Sequence, residues 1–394
     1  MQRCVNGRSR APVHDWVIGV VRSVLHLTGS FVEASQAWLY DIITAPGSFE
    51  ASVHCEKRLN STLFPFDEVW ADLPSSRRFG RDWVTRQVNA RTAAGVAPRN
   101  YWRRVLRGLA PRADVVHAHF GHFGWMAIDA GLSPVVVSFY GFDAYSRQWL
   151  SHWGRVYPAL FARGASFVAE GPAMAERLIQ LGAARERVRV LPLMADVTSL
   201  NWRPPRPDGP LHILMAGRLV EKKGFRLGLE AFARLGLRGA TLTIVGSGPE
   251  EQALKRAVAR HAIPGVRFVP FVSRREYRAL ISDSDILLQP SVTARNGDSE
   301  GGAPTVLFDA QAIGVVIVAS DHADIPYVVD TGAAYLSREG DVEGLSAALA
   351  AAVDGRGEWR DRSLAGRQHV EDQHGPRQVA ARRDEIYAEA TQFG

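Results

Sequence analysis

"NWRPPRPDGP", residues 201 to 210, holds four prolines and a glycine and shows no hydrophobic period. Such a stretch can continue neither a helix nor a strand, so it reads as a linker. The same pattern runs on both sides of it: short β-branched segments alternate with longer helical ones, as parallel sheets with crossover helices require. Before the linker the strand candidates are "GVVRSVLHL", "ASVHC", "DVVHAH", "PVVVSF", "SFVAE" and "RVRVLPL". After it they are "LHILMAG", "TLTIVG", "VRFVPF", "ILLQP" and "VVIVAS". The fold class expected is α/β, with two Rossmann-like doubly wound domains of similar size. The boundaries expected are an arm at 1–16, a first domain at 17–200, the linker at 201–210, a second domain at 211–375 and an amphipathic tail helix at 376–394.

Length and composition agree with this division. A chain of 394 residues exceeds one ordinary core. Hydrophobic content of 46% and charged content of 22% are those of a globular protein. Cys4 and Cys55 have no metal-ligand spacing, and so small a number suits a reducing cytoplasm. The longest apolar run, "WVIGVVRSVLHL", is interrupted by Arg22 and His26, which argues against a membrane span or a signal peptide. The net charge of +6 comes from arginine, since only four lysines occur. It favours anionic partners, including the surface of an anionic membrane. No zinc-finger spacing, RNP-type strand or dense basic run is present, so nucleic acid is not expected.

Three phosphate-type devices follow strands of the second half. "LMAGRLVEKKG" puts Gly217 at a strand end, then Arg218, then Lys223 and Gly224. Strand carboxyl ends are where doubly wound sheets bind ligands, and guanidinium and ammonium groups grip phosphate oxygens. "TIVGSGPE" repeats the design with Gly246, Gly248 and Pro249. "EGGAPTVLFDAQAIG", residues 300–314, has Pro304 at the expected first helical position and Gly314 past the end. Gly301 and Gly302 expose the free N–H groups of that helix, with Ala303, Pro304 and Thr305 completing its mouth; this is a ready anion site. Glu300 stands outside the mouth, where it can accept from sugar hydroxyls. Asp309 stands inside, where it can hold a ribose diol.

In this order, "GRLVEKKG", "IVGSGPE", "QPS" and "EGGAPTVLFDAQAIG" followed by "IVAS" resemble the carboxyl-terminal domain of retaining GT-B glycosyltransferases of glycosyltransferase family 4. The resemblance implies two domains facing each other across a cleft, with the tail helix packing back on the first. It implies that Arg218 and Lys223 neutralise a donor diphosphate, that Glu300 contacts the transferred sugar and that Asp309 takes the place of the family's ribose-binding Glu. Asp309 replaces that Glu at an interval one residue longer, which makes Asp298 the alternative sugar contact.

In the first half, "VVHAHFGHFG" sets His117, His119 and His122 at the end of a buried strand. No acidic ligand lies near them, so a metal is not expected. "SFYGFDAY" matches the family's HG-x-D-like element with Tyr140 in place of its histidine, while Gly141 and Asp143 remain. His119 and Asp143 are the catalytic residues the resemblance implies beside Glu300. Gly29, in "LTGSFVEASQAWLY", falls where the family's glycine loop passes under the donor phosphates. "SQAW", "CEKRLN" and "FPFD" are similar to a subgroup that builds exopolysaccharide. Trp149 and Trp153 are candidates for stacking on acceptor sugars.

The activity so implied is transfer of a hexose from a UDP- or GDP-linked donor to a sugar, a lipid-linked glycan or a small molecule. Retention is expected, with no cofactor and no metal, in the cytoplasm or at the inner face of the membrane. Two alternatives remain at this point: a catalytically silent sugar-nucleotide-binding subunit, and glycosylation of a small natural product. A nicotinamide-dependent oxidoreductase is disfavoured because "VGSGPEE" lacks the third glycine of its fingerprint.

Overall fold

The β-branched runs form two all-parallel sheets, one on each side of the linker. In this computed structural model residues 22–73, 96–109 and 113–392 are described; the expected arm at 1–16 and Cys4 lie outside them. The first sheet comprises β1 (Arg22–Phe31), β2 (Phe49–Arg58), β3 (Val69–Trp70), β4 (Val115–His119), β5 (Val135–Ser138), β6 (Ser166–Ala169) and β7 (Val188–Val190), in the order β3-β2-β1-β4-β5-β6-β7. The second comprises β8 (His212–Ala216), β9 (Thr241–Val245), β10 (Val266–Val269), β11 (Ile286–Gln289), β12 (Val316–Asp321) and β13 (Tyr335–Arg338), in the order β10-β9-β8-β11-β12-β13. Helices cover both faces, so the central strands β4, β5 and β11 are buried throughout.

Strand order reverses between β1 and β4 and again between β8 and β11. The connections leaving such a pair diverge to opposite faces and open a crevice at the carboxyl ends. The two crevices face one another. One hydrophobic cluster joins the domains, running from Val24 and Val115 through Leu191, Leu193 and Met194 to Leu214 and Leu307. The linker is strapped to the second domain: Arg203 N–H donates to the Ile313 carbonyl at 2.9 Å, and Arg206 pairs with Asp285 at 3.2 Å.

The tail folds as two helices, Trp359–His374 and Pro376–Gln392. The second reaches back across the first domain. Its Arg383 guanidinium donates to the carbonyls of Ile42 and Ala45 at 2.7 and 3.0 Å, and its Glu389 pairs with Arg189 at 2.8 Å.

Two edge strands, β3 and β13, were not expected. The first has two residues, and "YLSR" of the second carries no β-branched run. The first strand also extends further than read, to Phe31. Its parallel pairing with β2 holds as far as Phe31 opposite Arg58. Gly29 therefore lies inside a strand instead of in a loop beyond it.

Candidate functional site

The site begins where β8 ends. Gly217 turns the chain at φ 147°, Arg218 follows with its side chain exposed, and a single turn at Glu221–Lys223 closes on Gly224 at φ 64°. A Cβ at Gly224 would collide with the Pro290 carbonyl, so glycine lets the lysine turn sit against the end of β11. The two lysines diverge. Lys222 Nζ donates to the Ser299 carbonyl at 2.7 Å and to Asp298 Oδ1 at 3.2 Å. Lys223 Nζ donates to Glu300 Oε2 at 2.9 Å, while Glu300 Oε1 accepts from the Ser291 hydroxyl at 2.6 Å.

Burial opposes ionisation of Glu300, but the ammonium groups of Lys223 and Lys222 outweigh it and hold its pKa below the usual value. Burial in turn lowers the pKa of Lys223, against the pull of Glu300. Arg218 makes no ion pair among the described residues and remains available. Gly246, at φ 135°, packs on the Gly217 carbonyl where no Cβ would fit, and so supports the end of β8. Behind the loop, His322 links Glu339 at 2.8 Å to the Ser299 hydroxyl at 3.1 Å and anchors the residue before Glu300.

The helix entered from this loop is Val306–Ile313, with Thr305 as its N-cap and Gly314 past its end at φ 100°. Pro304 is therefore not its first residue, as the sequence led us to expect. Leu307 N–H donates to the Pro304 carbonyl at 3.0 Å, an i to i+3 bond. The proline thus opens one tight turn that the α-helix succeeds. Gly301, Gly302 and Ala303 bend ahead of it. Asp309 lies in the first turn of the helix, partly buried, with its carboxylate 3.7 Å from the Arg278 guanidinium. Burial raises its pKa, and Arg278 and Arg274 counteract it.

The first domain faces this loop with a buried polar cluster. His119 Nδ1 is 2.6 Å from the Tyr140 hydroxyl, and its Nε2 is 2.9 Å from His26 Nδ1. His117 lies between the hydroxyls of Tyr387 and Ser138, at 2.7 Å from each. Burial pushes His119 down to about 3 and leaves Tyr140 well above its usual range, so both are neutral near pH 7. Asp143 is turned inward. Its carboxylate accepts from the N–H groups of Gly121 at 2.8 Å and Tyr140 at 2.9 Å. Burial still raises its pKa to about 6. It braces the loop that carries Tyr140 and Gly141. Trp38, from "SQAW", packs against Tyr140 with the ring centroids 4.4 Å apart and the rings tilted by 42°. His122 packs with Trp149 and Trp153 instead of joining the histidine cluster.

The sequence offered no acidic ligand beside His117, His119 and His122, but strand register supplies a further histidine. His26 lies opposite His117 on the neighbouring strand. Ligand atoms of His26, His117 and His119 all lie within 4.8 Å of one another, which makes these three the residues that could hold a metal among the described residues. The hydroxyls of Tyr140, Tyr387 and Ser138 and the His26–His119 contact already use both nitrogens of His117 and His119.

The domains meet at this point. Gly141, at φ 82°, and Gly301, at φ 80°, touch backbone to backbone, and a Cβ on either would enter the other chain segment. Glu170 reaches across from β6 to accept from Gly302 N–H at 3.0 Å. Asp324 reaches back to accept from Ala173 N–H at 2.7 Å and Met174 N–H at 3.2 Å. Of the expected residues, Lys223, Glu300, Gly301 and Gly302 form one cluster with Arg218 beside it. His119 and Asp143 connect to it through Tyr140 and Gly141. Asp309 lies inside the helix, and Gly29 stays in β1. Lys222, His26, Glu170 and Asp324 were missed. Glu170 had one signal, its position directly after the strand "SFVA" and before Pro172 of a helix.

Both domains match known families. Residues 64–199 match the family model described as Glycosyltransferase Family 4, and residues 210–354 match Glycosyl transferases group 1. Among curated proteins, the chain is 35% identical over 250 residues to the putative colanic acid biosynthesis glycosyltransferase WcaL of Escherichia coli K12, covering 61% of each chain. It is 32% identical over 269 residues to the amylovoran biosynthesis glycosyltransferase AmsK of Erwinia amylovora, covering 66% of each. The chain thus aligns with about 61% of the length of the former. Among solved structures, Anabaena Alr3699/HepE in complex with UDP superposes with a TM-score of 0.72 at 18% identity, over 93% of this chain and 100% of that one. Sucrose-phosphate synthase from Thermosynechococcus elongatus does so with a TM-score of 0.69 at 14% identity, over 93% and 99%. With both halves matched in sequence, and with two facing parallel sheets in the GT-B arrangement, the chain belongs to glycosyltransferase family 4.

Proposed function

We propose that this protein transfers a hexose from a UDP- or GDP-linked donor to an acceptor hydroxyl, with retention at the anomeric carbon, in the synthesis of a bacterial polysaccharide. The observation that carries the proposal is the buried Lys223–Glu300 pair at the helix mouth, with the uncommitted Arg218 beside it. The relatives' names, colanic acid and amylovoran biosynthesis glycosyltransferases, support the product class. The complex of HepE with UDP-glucose supports a nucleotide-sugar donor.

Arg218, Lys223 and the N–H groups at the helix mouth would stabilise the charge that develops on the departing diphosphate. Their charge replaces that of a divalent ion, so no metal and no cofactor is needed for this step. Glu300 would contact the transferred sugar, and Asp309 would hold the ribose diol. Neutral His119 would act on the opposite wall through the Tyr140 hydroxyl that it engages, while Asp143 fixes that wall by holding Gly121 and Tyr140. The acceptor would attack the face the diphosphate leaves, and a diphosphate oxygen would take its proton. The meeting of Gly141 with Gly301 would exclude water that otherwise hydrolyses the donor.

The acceptor would be a sugar, a lipid-linked glycan or a small molecule. Among the described residues no helix is long and apolar enough to cross a membrane; the basic charge suits peripheral contact with an anionic inner face. A panel of UDP- and GDP-sugars, assayed for nucleoside diphosphate release with and without acceptor glycans, tests the reading. Release that depends on one donor supports it. Neither binding nor release with any donor would overturn it.

A further inference from the structure

Two carboxylates cross the cleft in opposite directions, and their targets differ. Asp324 caps the helix Pro172–Gln180, taking first-turn N–H groups that have no partner within that helix. Glu170 takes the N–H of Gly302, which lies in the mouth of the helix Val306–Ile313. On the reading above, that mouth is where the donor diphosphate sits. The absence of a side chain at Gly302 is what admits the carboxyl group, since a Cβ there would collide with it.

Glu170 is 8% exposed and forms no ion pair among the described residues. The charged and titratable groups around it are Asp324 after β12, Asp143, Tyr140 and Tyr145 after β5, and Lys222 after β8. Lys222 is already committed to Asp298 at 3.2 Å. The neighbourhood therefore holds two other carboxyl groups and one spoken-for ammonium. Nothing in it neutralises an ionised Glu170, and a diphosphate would add further negative charge.

We propose that Glu170 stands in for the donor phosphate: its carboxyl group occupies the Gly302 N–H until a donor binds, and the incoming diphosphate takes that N–H by displacing it. Glu170 is thus a positioning residue of the donor site, and this inference rests on the donor-site reading above. Both occupants are acceptors of one hydrogen, so they exclude each other. The neutral acid yields readily, whereas the ionised one binds the N–H more tightly and repels the diphosphate.

Burial raises the pKa of Glu170 to about 8, so the yielding form prevails at neutral pH and is lost as pH rises past that value. If only the neutral form admits the nucleotide, the apparent Kd grows as the competent fraction falls, by roughly elevenfold at pH 9. Glu170→Gln keeps the shape and the hydrogen bond but cannot ionise.

Calorimetric titration with UDP and with GDP, from pH 6.5 to 9, compares the native protein with Glu170→Gln. Titration of Lys223 and of the nucleotide affects both proteins alike, so the ratio of the two Kd values isolates Glu170. The ratio is expected to stay constant below pH 7 and to change about tenfold by pH 9, in the variant's favour. A ratio that does not change with pH overturns the inference while leaving the donor site standing. If neither nucleotide binds either protein at any pH, the donor-site reading itself falls and takes the inference with it. Should Glu170→Gln fail to fold, Glu170→Ala removes the same ionisation and is read in the same way.

Discussion

Lys223 and Glu300 neutralise each other across 2.9 Å in a pocket where neither is more than 13% exposed. One is read as a phosphate ligand and the other as a sugar ligand, yet each is the other's counter-ion. On the proposed reading, donor binding loosens this pair, because the diphosphate competes with Glu300 for the same ammonium.

Removing Lys223 therefore does two things. Lys223→Ala leaves the Glu300 carboxylate without the ammonium it pairs with, and breaking a buried pair costs about 3–5 kcal/mol; on the proposed reading it also deletes a phosphate contact. Arg218→Ala removes only an exposed, unpaired guanidinium, so its unfolding midpoint stays put while donor affinity drops roughly tenfold or more. Thermal unfolding alongside donor titration separates the two. Equal stability of both variants would show that the ion pair carries no weight.

Asp309 and Glu300 are expected to fail differently. Asp309→Ala weakens nucleoside diphosphate and intact donor alike, because both carry the ribose. Glu300→Gln leaves nucleoside diphosphate within about threefold and lowers turnover at least tenfold, since its contact matters most where charge develops at the anomeric carbon. Calorimetry with both ligands, together with initial rates, checks this. If Glu300→Gln weakens the bare nucleotide as much as Asp309→Ala does, Asp298 becomes the better candidate for the sugar contact.

Gly301→Ala tests closure. The residue has φ 80°, and its Cβ would enter Gly141. Backbone strain alone costs about 1–2 kcal/mol, while the collision holds the domains apart. The expected result is a larger radius of gyration in solution scattering and a rate reduced by at least tenfold. An unchanged radius with full activity would refute the contact.

The Asp324 cap gives stability a pH dependence. Burial raises its pKa to about 6 despite the two N–H bonds it accepts, against 3.8 for the ordinary group. The folded protein thus binds the proton more tightly than the unfolded chain does. The contribution of this group is fullest below pH 3.8 and falls as pH rises toward 6. Asp324→Asn, which cannot ionise, should gain on the native protein by a few degrees in midpoint between pH 4 and pH 6.5, then hold that gain. Parallel melting curves at constant offset across that range would contradict the assignment.

Chelation supplies a further check. With Arg218, Lys223 and the helix mouth carrying positive charge, transfer is expected to continue in EDTA. Complete loss, restored by magnesium or manganese, would mean that the diphosphate site was misread.

The linker and the alternation around it located eleven strands, because β-branched runs bounded by glycine and proline leave few options. The edge strands β3 and β13 escaped for the opposite reason: their residues pair only because a neighbour offers an edge. The helix mouth was legible as chemistry but not in register, since a proline can open a tight turn as well as an α-helix. Asp324 could not be read at all, and Glu170 only by its place directly after a strand. Each has its meaning in a backbone donor more than a hundred residues away, across a cleft that only the folded chain creates. Lys222 and Lys223 show the same limit, because adjacent lysines in a short turn give no sign of which one points inward.

The helix Pro376–Gln392 carries a consequence for synthesis. Its Tyr387 partners His117, and its Arg383 binds two carbonyls of the first domain. That helix is translated after every strand of both sheets. The amino-terminal domain therefore cannot bring its histidine cluster to the final arrangement while the ribosome is still making the second domain. The cluster waits for that helix to arrive.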